Sequence, residues 1–233
     1  MRHRLFLFDL DDTLLDFKAS EQLSFERTMR ELGLDLVPDG LFAGYQAINL
    51  ALWKAFELGT VSKDFLKVER FRRTFAENGL DLDPVSASRR YLESLADNVV
   101  LIDGALQLCE TLAGIGEVGI ITNGVAQIQH RRIAAASLHG HVSFIATSEA
   151  CGHAKPDSRF FDYTVNMARA FSRAETVIVG DRLDADILGA NRFGIDSCWF
   201  NPGGLVNESE ARPTCEVARL HEVIPALRAL GAA

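Results

Sequence analysis

A chain of 233 residues with 48% apolar and 24% charged residues is long enough for one large globular domain or two smaller ones. Its formal net charge of −8 argues against the basic surface that nonspecific binding to a nucleic-acid polymer or an anionic membrane requires. No stretch of about 18 apolar residues is present, which excludes a membrane-spanning helix. The four cysteines form no CxxC pair, which favours reduced thiols in a cytoplasmic protein.

The first predicted element is a buried strand, Leu5 to Phe8, followed at once by carboxylates. Four consecutive bulky apolar residues are typical of a strand that is covered on both faces, as in parallel α/β sheets. Asp9, Asp11 and Asp12 then lie within four positions, where they would repel one another unless a cation or hydrogen-bond donors met them. Because open α/β sheets bind ligands at the carboxyl ends of their strands, this stretch predicts a functional site.

The segment 17–98 has the apolar spacing of helices and almost no strand-like run. It predicts four amphipathic helices, of which the last three cover about 38–58, 61–79 and 83–98. Such helices without strands form a small bundle of their own. On the third helix, the residues expected on the solvent-facing side are Arg70, Arg72 and Arg73.

After residue 98 the pattern changes to short apolar strands that alternate with helices. Further strands are predicted at 118–121, 142–146, 176–179 and 195–200, and a loop with one helix completes the chain. This alternation predicts an α/β fold: a parallel, five-stranded, Rossmann-like sheet with helices on both faces. We therefore expect a core made of residues 1–16 and 99–233, with the helical bundle 17–98 inserted into it.

The polar residues expected at the strand ends form one set, namely Asp9, Asp11, Asp12, Thr122, Asn123, Lys155, Asp181 and Asp186. Asp9, Asp11 and Asp181 offer hard oxygen ligands that suit Mg²⁺. A threonine hydroxyl and a lysine ammonium can bind the oxygens of an anion. Together these residue types indicate phosphoryl transfer through an aspartyl-phosphate, with one aspartate as nucleophile and a second as acid/base.

Four motifs in the chain resemble those of the haloacid dehalogenase-like hydrolase superfamily. In order, they are Asp9-x-Asp11-Asp12-Thr13-Leu14, Thr122-Asn123-Gly124, Lys155-Pro156 and Gly180-Asp181-x₄-Asp186. The resemblance implies that segment 17–98 is the inserted helical cap of that superfamily. Two further features resemble one branch of the superfamily, the pyrimidine 5′-nucleotidases. They are Asp12 in place of the commoner glycine and the segment Gln46-Ala47-Ile48-Asn49-x₂-Leu52-Trp53.

The resemblance also implies a role for each motif residue. Asp9 would be the nucleophile, and Asp11 would protonate the leaving oxygen and then activate the hydrolytic water. Mg²⁺ would be bound by Asp9, the backbone carbonyl of Asp11 and Asp181, with Asp186 supporting the site. The transferring phosphoryl group would be bound by Thr122, Asn123 and Lys155.

The expected function is that of a Mg²⁺-dependent phosphatase acting on a small phosphorylated metabolite, with a nucleoside 5′-monophosphate as the leading candidate. Gln46, Asn49 and Trp53 lie along one stripe of a cap helix, so Asn49 and Trp53 are candidates to bind the base. A phosphatase for a sugar phosphate or phosphoglycolate, or a phosphomutase, is the enzymatic alternative. An idle regulator that binds a phosphorylated ligand is the alternative of another class. Dehalogenases of the superfamily lack a second aspartate in the first motif, so Asp11 argues against that chemistry.

Overall fold

Six parallel strands form the sheet of this protein, whose computed structural model describes residues 1–231. In chain order they are β1 (Leu5–Phe8), β2 (Glu117–Thr122), β3 (Phe144–Thr147), β4 (Thr176–Gly180), β5 (Asp196–Phe200) and β6 (Cys215–Val217). Their order in space is β3-β2-β1-β4-β5-β6. The parallel α/β architecture is confirmed, but the expected number of five strands was wrong. The short edge strand β6 lies where only a loop and a helix were predicted.

The helices alternate with the strands that follow β2, and a run of helices lies between β1 and β2, as the sequence predicts. The helices are α1 (Phe17–Glu31), α2 (Leu41–Glu57), α3 (Lys63–Glu77), α4 (Pro84–Asp97), α5 (Ala105–Ala113), α6 (Ala126–Ala135), α7 (Ser148–Cys151), α8 (Ser158–Val165), α9 (Leu188–Phe193) and α10 (Val223–Leu230). A π-helical segment, Leu183–Ile187, leads into α9. Within residues 1–231, no helix is long and apolar enough to cross a membrane.

Strand β1 lies in the middle of the sheet, hydrogen-bonded to β2 on one side and to β4 on the other. Its four side chains are each at most 2% exposed. Burial of a large apolar side chain contributes about 1.5–3 kcal/mol, so this strand is held in the core on both faces. The chain crosses to opposite sides of β1 to form β2 and β4, which opens a crevice at their carboxyl ends. Residues that directly follow these three strands therefore come together.

The contacts divide the chain into two units, residues 18–99 and the remainder of the described chain. The expected boundaries, after residues 16 and 98, lie one residue before the observed ones. The larger unit holds the whole sheet, and the smaller consists of the helices α1 to α4. Asp83 caps α4 by accepting hydrogen bonds from the backbone N–H groups of Val85 and Ser86, with Pro84 in the first turn.

The buried face of α3 differs from the prediction at Arg70. This side chain is 3% exposed, whereas Arg72 and Arg73 are exposed and form ion pairs with Glu69. The expectation that Arg70 faces solvent was wrong. The physical reason is an aromatic cage, because the Arg70 guanidinium lies 4.5 Å from the ring centroid of Tyr91 and 5.8 Å from that of Tyr45.

Candidate active site

A buried lysine joins two carboxylates at the carboxyl edge of the sheet. The Nζ of Lys155 donates to Oδ1 of Asp9 at 2.5 Å and to Oδ1 of Asp186 at 2.7 Å. Its third hydrogen bond goes to the backbone oxygen of Ile121 at 3.0 Å, which uses the full donor capacity of an ammonium. The side chains of Lys155, Asp9 and Asp186 are 3%, 9% and 0% exposed. Lys155 therefore fixes Asp9 at the end of β1.

Asp181, which follows β4, completes a cluster of three carboxylates with Asp9 and Asp186. Each residue offers one oxygen, and these oxygens lie within 4.8 Å of one another. Thr13 donates its hydroxyl to Oδ1 of Asp181 at 3.4 Å, and the indole of Trp199 donates to the Asp181 backbone oxygen at 2.9 Å. Hard carboxylate oxygens at this spacing fit a divalent cation such as Mg²⁺.

The electrostatics of the cluster also fit a cation. Desolvation raises the pKa of Asp9 from 3.8 to about 7 and the pKa of Asp181 from 3.8 to about 8. Neighbouring carboxylates add to both increases, and Lys155 opposes them. Burial alone would lower the pKa of Lys155, but Asp186 and Asp9 raise it, so the ammonium stays charged. One ammonium beside three carboxyl groups, two of them buried, leaves a deficit of positive charge that a divalent cation would fill.

The second motif lies at the end of β2 and fixes the backbone of Lys155. Oδ1 of Asn123 accepts from the Lys155 N–H at 2.9 Å, and Nδ2 donates to the Lys155 carbonyl at 3.1 Å. Oγ1 of Thr122 accepts from the N–H of Gly124 and from Nε2 of Gln129, both at 3.0 Å. This arrangement leaves the Thr122 hydroxyl hydrogen to donate to an anion. Phosphoryl binding by Thr122, Asn123 and Lys155 stays a prediction.

Asp11 lies in the first motif, but its carboxylate is held by residues outside the three-carboxylate cluster. Oδ2 accepts from Nε2 of Gln129 at 2.6 Å, and Oδ1 accepts from Nη1 of Arg132. Neither Gln129 nor Arg132 was predicted from the sequence. The available signal was their i, i+3 spacing next to Ile128 and Ile133, which places two long polar side chains on the buried face of α6.

Asp12 has a structural role that the sequence did not reveal. Its φ of 55° lies in the left-handed region, which glycine adopts most easily and aspartate tolerates better than most residues. Its Oδ1 accepts a hydrogen bond of 3.0 Å from the N–H of Phe17, the first residue of α1. The backbone conformation thus explains why either glycine or aspartate suits this position.

Within the helical unit 18–99, Asn49 belongs to a buried polar network. Its Nδ2 donates to Oε1 of Glu21 at 2.9 Å, and its Oδ1 accepts from Nη1 of Arg70 at 3.1 Å. Gln46 donates to the other oxygen of Glu21 at 3.0 Å. Asn49 is 5% exposed, and both ends of its amide have partners within the same unit. Its predicted contact with substrate stays a prediction.

Trp53, on the same helix, is half-buried. Its ring packs edge-on against Phe56, with centroids 5.7 Å apart, and Nζ of Lys63 lies 5.8 Å from its centroid. The indole therefore keeps exposed surface, in contrast to Asn49. Its predicted stacking on a base also stays a prediction.

A buried aspartate after the first strand, paired with a lysine beside further carboxylates, is typical of an enzyme site at the carboxyl edge of a parallel sheet. The model of the haloacid dehalogenase-like hydrolase (HAD) family matches residues 3–194, and the chain belongs to this family.

Named relatives cover nearly the whole chain. The pyrimidine 5′-nucleotidase PynA of Streptococcus pneumoniae is 35% identical over 228 residues, which is 97% of this chain and 96% of PynA. The pyrimidine 5′-nucleotidase YjjG of Escherichia coli is 30% identical over 216 residues, covering 93% and 94% of the two chains. The magnesium-bound crystal structure of the HAD-hydrolase YfnB of Bacillus subtilis is similar with a TM-score of 0.90 and 35% identity, over 98% of this chain and 100% of YfnB. These matches confirm the expected family and enzyme class, a phosphoric monoester hydrolase.

Proposed function

We propose that this protein is a Mg²⁺-dependent phosphatase that hydrolyses a small phosphate monoester through an aspartyl-phosphate on Asp9. The observation that carries the proposal is the buried Lys155, which holds Asp9 and Asp186 at the sheet edge beside Asp181. A carboxylate fixed in this way is positioned to act as a nucleophile.

In the first half of the reaction, the Asp9 carboxylate attacks phosphorus, and the bond from phosphorus to the leaving oxygen breaks. Asp11 donates a proton to that oxygen, so the product leaves as an alcohol rather than an alkoxide. The positive charge of Lys155 and a hydrogen bond from the Thr122 hydroxyl stabilise the negative charge on the transferring group. This half-reaction leaves a phosphoryl group on Asp9 and a deprotonated Asp11.

In the second half, Asp11 takes a proton from a water molecule, which attacks the phosphoryl group on Asp9. The acyl-phosphate bond breaks, inorganic phosphate leaves, and both aspartates return to their starting states. The residues that would hold Mg²⁺ are Asp9, Asp181 and the backbone carbonyl of Asp11, with Asp186 supporting them through Lys155. When bound, the ion would neutralise charge on the phosphoryl oxygens.

The substrate that we favour is a pyrimidine nucleoside 5′-monophosphate, encountered in the cytoplasm. The motif in α2 that resembles pyrimidine 5′-nucleotidases and the similarity to PynA and YjjG support this choice. The motif residues of the core are assigned to the phosphoryl group and the metal, so they do not distinguish one ester from another.

Phosphate release is the direct test of this function. The purified protein should hydrolyse p-nitrophenyl phosphate with Mg²⁺ and lose this activity with excess chelator. A panel of nucleoside monophosphates, sugar phosphates and phosphoglycolate should then rank the substrates. No turnover of any ester with Mg²⁺ would contradict the phosphatase assignment. Preference for a sugar phosphate would contradict only the nucleotide assignment.

Mg²⁺ is expected to raise the melting temperature, and this increase should grow with pH. The pKa values of Asp9 and Asp181 are raised above 3.8, to about 7 and about 8, so the metal-free folded state binds more protons than the unfolded state. The metal-free protein therefore loses stability as pH rises from about 4 to about 8. Mg²⁺ competes with these protons, so its stabilising effect should be larger at about pH 8.5 than at about pH 6. Thermal denaturation with Mg²⁺ or chelator at both pH values measures this difference.

A matched pair of variants assigns the effect to the site. Asp181→Asn should abolish most of the Mg²⁺-dependent increase in melting temperature, because it removes one ligand carboxylate. Asp162→Asn makes the same change at an exposed position of α8 and should leave the increase unchanged. Equal responses of the two variants to Mg²⁺ would contradict metal binding by Asp181.

Trp53→Ala should raise KM for uridine 5′-monophosphate by about 10-fold while sparing p-nitrophenyl phosphate, since stacking on a base contributes about 1–3 kcal/mol. Phe65→Ala, which removes a 46% exposed ring from the same cap, is the control. Steady-state kinetics of both variants on both substrates provides the measurement. A similar loss on the two substrates would show that Trp53 serves the cap structure instead.

Asn49→Ala is less suited to this test, because it also deprives Glu21 and Arg70 of a buried partner.

A further inference from the structure

Two buried side chains of α6 hold the carboxylate of Asp11. Gln129 is 2% exposed and Arg132 is fully buried, whereas the Asp11 side chain is 29% exposed. Gln129 contacts one carboxylate oxygen and Arg132 contacts the other. The two residues are also joined to each other, because Nη1 of Arg132 donates to Oε1 of Gln129 at 2.9 Å. A partly exposed carboxylate is thus held by two buried side chains.

The surroundings of Arg132 indicate that its contact with Asp11 does more than fill space in the core. Its Nε and Nη2 are buried and have no hydrogen-bond partner among the described residues. Its guanidinium lies 5.6 Å from the ring centroid of Phe17. Within residues 1–231, Asp11 is the carboxylate with which Arg132 forms an ion pair. A buried cation whose donors lack partners contributes little to the stability of the fold. Its hydrogen bonds can nevertheless fix the position of one anionic group.

The local backbone makes room for this arrangement. A Cβ atom at Gly124 would lie 2.8 Å from Cγ of Gln129, so the glycine of the second motif allows Gln129 to pack across the strand end. From there, Nε2 of Gln129 reaches both the Thr122 hydroxyl and Asp11. The same amide therefore connects the predicted phosphoryl-binding threonine with the predicted acid/base.

We propose that Gln129 and Arg132 are positioning residues that orient Asp11 for proton transfer in both halves of the reaction. This inference rests on the proposed phosphatase mechanism. A carboxylate has about four lone-pair sites, and the two buried donors occupy two of them. The side chain is 29% exposed, so we assign the remaining sites to proton transfer: there Asp11 gives its proton to the leaving oxygen and later takes one from water. Because proton transfer requires the acid within hydrogen-bond reach, a shift of about 1 Å can cost about 10²-fold in rate.

The test compares two aryl esters of similar shape, p-nitrophenyl phosphate and phenyl phosphate. Phenolate is the poorer leaving group, so its departure depends more on a proton from Asp11. Arg132→Met keeps a long side chain and removes the guanidinium. We expect it to lower kcat/KM by about 10- to 100-fold for phenyl phosphate and by less than about 3-fold for p-nitrophenyl phosphate. Arg131→Met, on the exposed side of the same helix, should leave both values unchanged.

A double-mutant cycle separates positioning from a structural role. If Arg132 acts through Asp11, adding Arg132→Met to the Asp11→Asn variant should not change the ratio of its kcat/KM values for the two esters. Equal losses on the two esters, or a further selective loss in the Asp11→Asn background, would overturn the proposal.

If Arg132→Met does not fold, Arg132→Lys takes its place, since one ammonium cannot reproduce the guanidinium contacts. Unequal losses in that variant support positioning, and equal or absent losses overturn it. Failure of the wild-type protein to hydrolyse either ester with Mg²⁺ would instead contradict the proposed function.

Discussion

Asp9→Asn is expected to lower turnover by about 10⁴-fold or more without loss of the fold, because an amide cannot attack phosphorus as a carboxylate does. Asparagine has nearly the same shape, and its Oδ1 can still accept a hydrogen bond from Lys155. The wild-type protein should also yield an acid-trapped phosphoenzyme whose label is located on Asp9. Rapid quenching with ³²P-labelled substrate, followed by peptide mapping, measures both the amount and the position of the label.

Asp12→Asn is the matched control for this experiment. The same substitution three positions later keeps an oxygen that can accept from the Phe17 N–H, and asparagine also tolerates the positive φ of 55°. We expect this variant to keep turnover within about 10-fold of the wild type and to form the phosphoenzyme. A labelled Asp9→Asn protein, or substantial steady-state turnover by it, would contradict covalent catalysis at Asp9.

The site could be predicted from sequence to the extent that it depends on strand ends. Asp9 and Asp181 each follow a run of buried apolar residues, and the carboxyl ends of neighbouring parallel strands share one edge. Lys155 is different, because it follows the short helix α7 and nothing near it in sequence indicates burial. Lys155 was placed in the site because it follows a predicted strand, and the resemblance to a family motif supported that placement. Its three hydrogen bonds now supply the physical reason.

What the sequence did not reveal depends on tertiary contacts. Strand β6 has only three residues and pairs with β5 alone at the sheet edge, so it is too short to show an alternating pattern. Arg70 and Arg132 are buried cations, and their charge makes solvent exposure the default expectation. In each case the deciding partner lies elsewhere in the chain, the ring of Tyr91 for Arg70 and the carboxylate of Asp11 for Arg132.

Lys155→Met is expected to reduce both stability and activity, because Lys155 is the ammonium that pairs with two buried carboxylates. Removing one partner of a buried ion pair typically costs about 3–5 kcal/mol, since the remaining charge has no compensation. For a protein of this size, that corresponds to a melting temperature lower by roughly 10 °C. Turnover should fall by about 10²-fold or more, through loss of charge stabilisation at the phosphoryl group and of the fixed orientation of Asp9.

The dependence of this loss on pH and Mg²⁺ identifies its cause. Burial raises the pKa of Asp9 to about 7. Protonation of Asp9 removes its repulsion with Asp186, so the difference in melting temperature from the wild type should shrink as the pH is lowered. Mg²⁺ should also restore part of the stability, because it supplies positive charge to the same carboxylates. Lys54→Met, at an exposed position of α2, is the control and should show neither effect. A Lys155→Met variant with the wild-type melting temperature in chelator, or with a loss that is the same at acidic and alkaline pH, would contradict this account. Either result would show that the charge of Lys155 does not account for its contribution to stability.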